Sequence, residues 1–252
     1  VALTGEHDIA RLTTDELRDL FAGNARVAIL LPVGAIEPHG PHLPLDTDLI
    51  ISRAAAEAAV PLLASAGVVA RIAPDVSYGV TECAAGFAGA VGVAPEELRA
   101  YLAGVVGAWV ANGAHHVCIV NNHLEPAHDS AVRAAVATFA GRAMVASPLT
   151  RRWARTLDDE FKRGACHAGE YETSIVMAAT PGRVRENLRQ TLPDVDVSLS
   201  EKLRAGVATF RAMGLDRAYA GFPARASSAH GADMIARLAE MVAGEILDAS
   251  ST

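Results

Sequence analysis

The chain has 252 residues, of which 51% are hydrophobic and 20% charged, and its formal net charge is −7. That acidity excludes general nucleic-acid binding, which needs a basic face, and the lack of long like-charge blocks excludes disorder. The longest apolar stretch, AAAEAAVPLLASAGVVARIA, is broken by Glu57, Pro61, Gly67 and Arg71 well short of a membrane span.

In chain order, TTDELRDLF opens with Thr13 or Thr14 as N-cap and acids in the first turn, which predicts a helix. RVAILLPVG is a continuous apolar run closed by Pro and Gly, the pattern of a strand buried on both faces. Residues 48–66, rich in Ala and Leu, read as a helix, and GVVARIAP as a second strand. PEELRAYLAGVVGAWVANG starts with Pro and two acids and ends at Gly113, a well-marked helix. HHVCIVNN is a third buried strand, AHDSAVRAAVATFAG a helix closed by Gly141, and RAMVAS a fourth strand. Beyond residue 150 the pattern is less regular. HAGEYETSIVMAA reads as a loop running into a helix, and ADMIARLAEMVAGEILDA as an amphipathic closing helix. Alternating strands and helices predict βαβ units and an α/β fold, a parallel sheet with helices on both faces. No repeat or linker breaks the chain, so residues 1–252 read as one domain. Cys83, Cys118 and Cys166 form no CxxC pair, which points to a reducing cytoplasm.

In such sheets, ligands bind at the carboxyl ends of strands. Two predicted strand ends carry dense polar chemistry, EPHGPHLPLDTD after the first strand and NNHLEPAH after the third. Glu37 and His39 are two apart, as are His123 and Glu125, and in an extended segment such pairs point to one side. With Asp48 they make five candidate ligands. Imidazole and carboxylate suit zinc, manganese or iron(II). Five exceed a single three-ligand site but suit two metals of three donors each if Asp48 bridges, and such a pair activates water and polarises a carbonyl. Asp48 or Asp46 could instead cap the helix that follows. His42, His115, His116 and His128 read as surface or structural histidines. In CHAGEYETS, Glu170 and Glu172 read as first-turn helix acids. His167, among small residues, reads as a proton donor to a leaving amine. Cys166 lacks a Cys-His-Asn arrangement that would make it a nucleophile. The Gly-rich YGVTECAAGFAGAVG lacks phosphate-loop spacing and is expected to wall the pocket.

LPVGAIEPHGPHLPLDTD, VNNHLEPAH and HAGEYETS resemble, in order and spacing, three signatures of the creatininase family of metal-dependent amidohydrolases. The resemblance runs from about residue 25 to about 180 and implies a three-layer αβα fold, commonly a homo-oligomer, a hexamer. It implies two divalent ions, zinc first and otherwise manganese or iron. Glu37, Asp48 and His123 would hold one, and His39, Asp48 and Glu125 the other. It also implies catalytic roles for His167 and Glu125. The expected substrate is a small amide, cyclic by preference; a short modified peptide or a formamide is the alternative, and a non-catalytic metal-binding protein a third reading. The sequence departs from the family in Asn122, where Gly is usual. The tryptophans that enclose creatinine have no clear match in Trp109 or Trp153.

Overall fold

The computed structural model describes residues 3–250. The elements are α1 (Thr14–Ala22), β1 (Arg26–Val33), α2 (Thr47–Ser65), β2 (Val68–Ile72), α3 (Pro95–Asn112), β3 (His116–Asn121), α4 (Pro126–Val136) and β4 (Ala143–Ala146). There follow α5 (Arg151–Ala154), α6 (Asp159–Arg163), α7 (Glu170–Ala179), α8 (Glu186–Arg189), α9 (Leu199–Arg204) and α10 (Ser228–Ala249).

The four strands form one parallel sheet in the order β2-β1-β3-β4. Period-two alternation splits their side chains between two cores. Ala28, Leu30, Cys118 and Val120 face a core shared with α2, α7 and α10. Val27, Ile29, Leu31, Val33, Val117 and Ile119 face a second core shared with α3 and α4, onto which α1 packs. This is the three-layer αβα arrangement expected. Truncating a fully buried strand residue such as Ile119 would cost about 2–5 kcal/mol.

Thr13 is the cap of α1, in a reciprocal box with Glu16. Gly113 closes α3 at φ 115°, a conformation that costs glycine little. One boundary differs from expectation: α4 ends at Val136, not at Gly141. Tighter turns follow, and Phe139 packs over Gly107 of α3, so burial of that ring wins over helix continuation. Among the described residues no helix is long and apolar enough to cross a membrane.

The topology fixes where a site can lie. From β1 the chain goes to β2 on one side, and from β3 to β4 on the other. The switch point is therefore between β1 and β3, where Val33 pairs with Asn121 at the strand ends. A crevice opens at such a point because the two following connections diverge.

Candidate metal centre

Both polar segments emerge at this crevice. Gly34 lets them close up: a Cβ there would sit 2.8 Å from the Asp48 Cβ and 3.0 Å from the Leu49 nitrogen. The chain then loops back, with the Glu37 amide donating to the Leu45 carbonyl at 3.1 Å, before entering α2. Asp48 lies inside the first turn of α2 and is 1% exposed, so it is not a cap. Asp46 precedes the helix but donates no cap either; its carboxylate pairs with Arg183.

Asp48 stands between two histidines, with Oδ1 3.2 Å from His39 Nε2 and Oδ2 3.0 Å from His123 Nδ1. Glu37 Oε1 lies 3.4 Å from His123 Nδ1 and 3.8 Å from His39 Nε2. Two ligand-like triads share Asp48: Glu37, Asp48 and His123, and His39, Asp48 and Glu172. A third grouping joins Glu37, His39 and His167. All of these residues are buried.

The fourth carboxylate differs from expectation. Glu125 falls in none of the groupings. Its Oε1 accepts from the Glu82 amide at 2.9 Å and its Oε2 from the Cys83 amide at 3.0 Å, and Oε2 is 4.0 Å from His123 Nε2. Glu172 takes the position beside His39, with Oε2 3.6 Å from Nε2. Its other visible partner is the Ala168 amide, at 2.6 Å. Glu172 is a first-turn helix acid, as the sequence predicts, but it is buried in the site. The signal that could have separated it from Glu170 is its place inside the ETS run.

The histidines are keyed by backbone carbonyls. His39 Nδ1 donates to the Glu37 carbonyl at 3.2 Å, His123 Nε2 to the Val80 carbonyl at 2.7 Å, and His167 Nε2 to the Pro38 carbonyl at 3.1 Å. In the neutral ring each opposite nitrogen then turns its lone pair toward the pocket, as in a metal-ligating histidine whose other nitrogen is tied to a carbonyl. Asn121 clamps His123 further: its Nδ2 donates to the His123 carbonyl at 3.0 Å, and its Oδ1 accepts the His123 amide at 3.2 Å. The same Oδ1 accepts from His128 Nε2 at 3.0 Å, and His128 Nδ1 accepts the Val80 amide at 3.2 Å. His42 and His128 are thus buried structural groups, not surface ones.

Without ions, the two histidines balance the carboxylates. Burial alone would raise Asp48 and Glu37, but His39 and His123 hold Asp48 far below the carboxylate range, and His123 holds Glu37 below it. Burial alone would lower His39, but Asp48, Glu172 and Glu37 push it up to about 10; Glu37 and Asp48 likewise raise His123. Glu172 is pushed up to about 8 by burial, against the pull of His39. Glu37 Oε2 is buried without a hydrogen-bond partner, and the close pairs of His39 Nε2 and Asp48 Oδ2 lack hydrogen-bond geometry. Stranding such groups is costly. Divalent ions would satisfy them, and a nitrogen–oxygen donor set fits zinc, manganese or iron(II).

Burial lowers His167 to about 4, with the neighbouring His39 adding to the effect. Burial raises the Cys166 thiol well above its usual range, which removes it as a thiolate nucleophile. The 78–92 loop does flank the site, through Val80 under His123 and through Glu82 and Cys83 on Glu125.

A family model described as creatinine amidohydrolase matches residues 10–246. A mycofactocin precursor peptide peptidase of Mycolicibacterium smegmatis is 31% identical over 221 residues, covering 86% of this chain and 81% of that protein. The Mycobacterium tuberculosis protein of that name is 30% identical over 225 residues, covering 84% and 82%. Among solved structures, a manganese creatininase aligns with a TM-score of 0.73 at 19% identity over 96% of this chain and 98% of that one. A putative creatinine amidohydrolase from Bacteroides fragilis aligns at 0.74 and 21% identity, covering 99% and 98%.

Proposed function

Because the chain belongs to the creatininase family, we propose that it is a two-metal hydrolase that cleaves a C–N amide bond. The observation that carries this reading is the shared carboxylate of Asp48, one oxygen toward His39 and the other toward His123. Divalent ions bound by the two triads would supply an activated water and a polarised carbonyl. Glu37, Asp48 and His123 would hold one ion, and His39, Asp48 and Glu172 the other, with Glu172 in the place the sequence assigned to Glu125. With an ion displacing the proton, His39 and His123 would present lone pairs in a fixed direction, because their other nitrogens are bonded to main chain. His167 turns Nδ1 inward, 3.9 Å from Glu37 Oε1, and is the group that takes up a proton and hands it to the departing nitrogen. Glu125 holds the 82–83 amides beside the site and is close enough to His123 to steady it.

For the substrate, the relatives favour a short peptide over a small cyclic amide, since the curated proteins at about 30% identity carry the name of peptide peptidases. The tryptophans agree. Trp153 packs in the core beside α10, with its indole N–H on Glu245 at 2.6 Å, and Trp109 packs on the core beneath α3. Neither is free to enclose a creatinine ring. The test is a panel of short peptides, cyclic amides, formamides and creatinine offered to protein loaded with zinc, manganese or iron(II). Turnover of a peptide is expected, with creatinine poor or inert. Turnover of cyclic amides alone would overturn the peptide assignment, and inertness toward every amide with both ions bound would overturn the hydrolase.

A further inference from the structure

A continuous stack of rings leads from the surface to the metal-ligand cluster. The Arg211 guanidinium lies 4.4 Å over the ring of Phe87. Phe87 meets Phe210 edge-on at 6.5 Å. Phe210 stacks on His167 with centroids 4.4 Å apart and 30° between planes, and His167 lies 4.5 Å from His39. Phe210 is 3% exposed and sits in a small third core with Cys83, Met213 and Leu215, separate from the two cores of the sheet.

His167 needs such support. It follows a half-buried cysteine, and the next residue, Ala168, has φ 51°, a left-handed conformation that alanine adopts at a cost. No helix or strand holds its backbone. Its ring is fixed by one hydrogen bond, from Nε2 to the Pro38 carbonyl, which leaves rotation about that bond free. Phe210 stacks on the ring, and His39 packs against it at a tilt of 41°. Phe210 is itself anchored on both sides: its amide donates to the Cys83 carbonyl at 2.8 Å, and its carbonyl accepts from Leu215 at 2.8 Å.

We propose that Phe210 is a positioning residue for His167, holding the imidazole plane so that Nδ1 faces the reacting bond. This rests on the proton-transfer role given to His167 above, and its own content is that the stack, and not the Pro38 hydrogen bond alone, sets the ring's orientation. A ring displaced by about an ångström costs up to 10²-fold in rate. Phe210 stacks on His167, which lies outside the two triads that share Asp48, so metal retention is not its task.

The experiment uses Phe210→Leu and Phe210→Met as replacements without a ring, Phe210→Tyr as the replacement that keeps it, His167→Ala, and the double variant His167→Ala/Phe210→Leu. The His167 ring is observed by NMR with labelled histidine in the protein as isolated, and kcat, KM and metal content are measured on the panel substrate that the wild type turns over fastest. Expected are a moved and broadened His167 ring signal in the ringless variants, a kcat lower by about 10- to 100-fold, KM and metal content within twofold of wild type, and recovery in Phe210→Tyr. The double variant should be no slower than His167→Ala, because a group that acts through another adds nothing once that other is gone. An unshifted His167 signal overturns the proposal, as do multiplicative losses in the double variant. Full activity of His167→Ala would instead overturn the proton-transfer role of His167, while the ring signal still reports on the stack. Two ringless replacements keep the test decisive should one of them fold poorly.

Discussion

Residues 26–146 and residues 147–227 supply one pocket by different means. In the first region Glu37, His39, Asp48 and His123 stand just beyond the ends of β1 and β3, or in the helix turn that follows. The register beneath them is locked by a parallel ladder from Ala28–His116 to Val33–Asn121. In the second region, no described residue joins the sheet; one isolated bridge, Val195 with Gly221, is the regular pairing it has. Its contributions, Glu172, His167 and Phe210, are placed by the first turn of α7, by a left-handed alanine and by ring stacking. The difference teaches a division of labour. Groups proposed to share ions sit on the rigid frame, whereas groups proposed to complete the site come from irregular chain.

The sharpest way to break that comparison is Asp48→Ala. Asp48 is the one member common to the two metal triads, so elemental analysis should find both ions lost and hydrolysis reduced to background. Retention of one ion would show that the regions bind metal independently. Next come Glu172→Gln and Glu125→Gln. If the irregular region supplies a ligand, Glu172→Gln should lose one ion of the two, while Glu125→Gln should keep both with affinity weakened about 10- to 100-fold, the usual cost of losing a group that steadies a ligand. Loss of an ion from Glu125→Gln alone would return the whole ligand set to the sheet region. Smaller again is His167→Ala, which should keep its ions and lose about 10²–10⁴ in kcat, less on a substrate with an activated leaving group. Metal loss in that variant would make His167 a ligand, as its grouping with Glu37 and His39 allows.

The same division explains what could be read from the sequence. The strands were legible because each is a short apolar run closed by Pro, Gly or Asn, and strand ends in a parallel sheet point to the crevice. Glu37, His39, Asp48 and His123 followed directly. Glu125 was placed among them because i and i+2 share a side of an extended segment, but Pro126 starts α4 at once and the side chain turns to the 82–83 amides instead. Glu172 was hidden because a first-turn acid is usually solvated; only the packing of α7 against α2 and α10 buries it. Phe210 carries no motif, since its role depends on two loops meeting. His167 was legible from its place in a loop of small residues, and resemblance to the family pointed to the same residue.

The smallest predicted effect concerns a brace confined to the irregular region. Glu160 of α6 is 3% exposed, and its carboxylate accepts from the amides of Glu170 (2.9 Å), Tyr171 (2.9 Å) and Phe222 (2.7 Å), tying the start of α7 to the chain before α10. Gly169 and Gly221 lie so close to this carboxylate that a side chain at either would displace it. Burial pushes the acid up to about 7, against the three amides, which favour its charged form. Unfolded, it would titrate near the ordinary value of 4.5. Between those limits the folded chain keeps a proton that the unfolded chain has released, so the folded state binds more protons and its stability falls as pH rises. The loss is largest once pH exceeds about 7 and amounts to at most about 3 kcal/mol, or roughly 5–10 °C in melting temperature. Melting curves of the metal-free protein at pH 5 and pH 8, set against those of Glu160→Gln, isolate this term. The wild type should lose more stability over that interval than the variant, whose brace cannot ionise. Equal slopes would mean that Glu160 titrates as it does in water and that the three amides, rather than burial, set its charge.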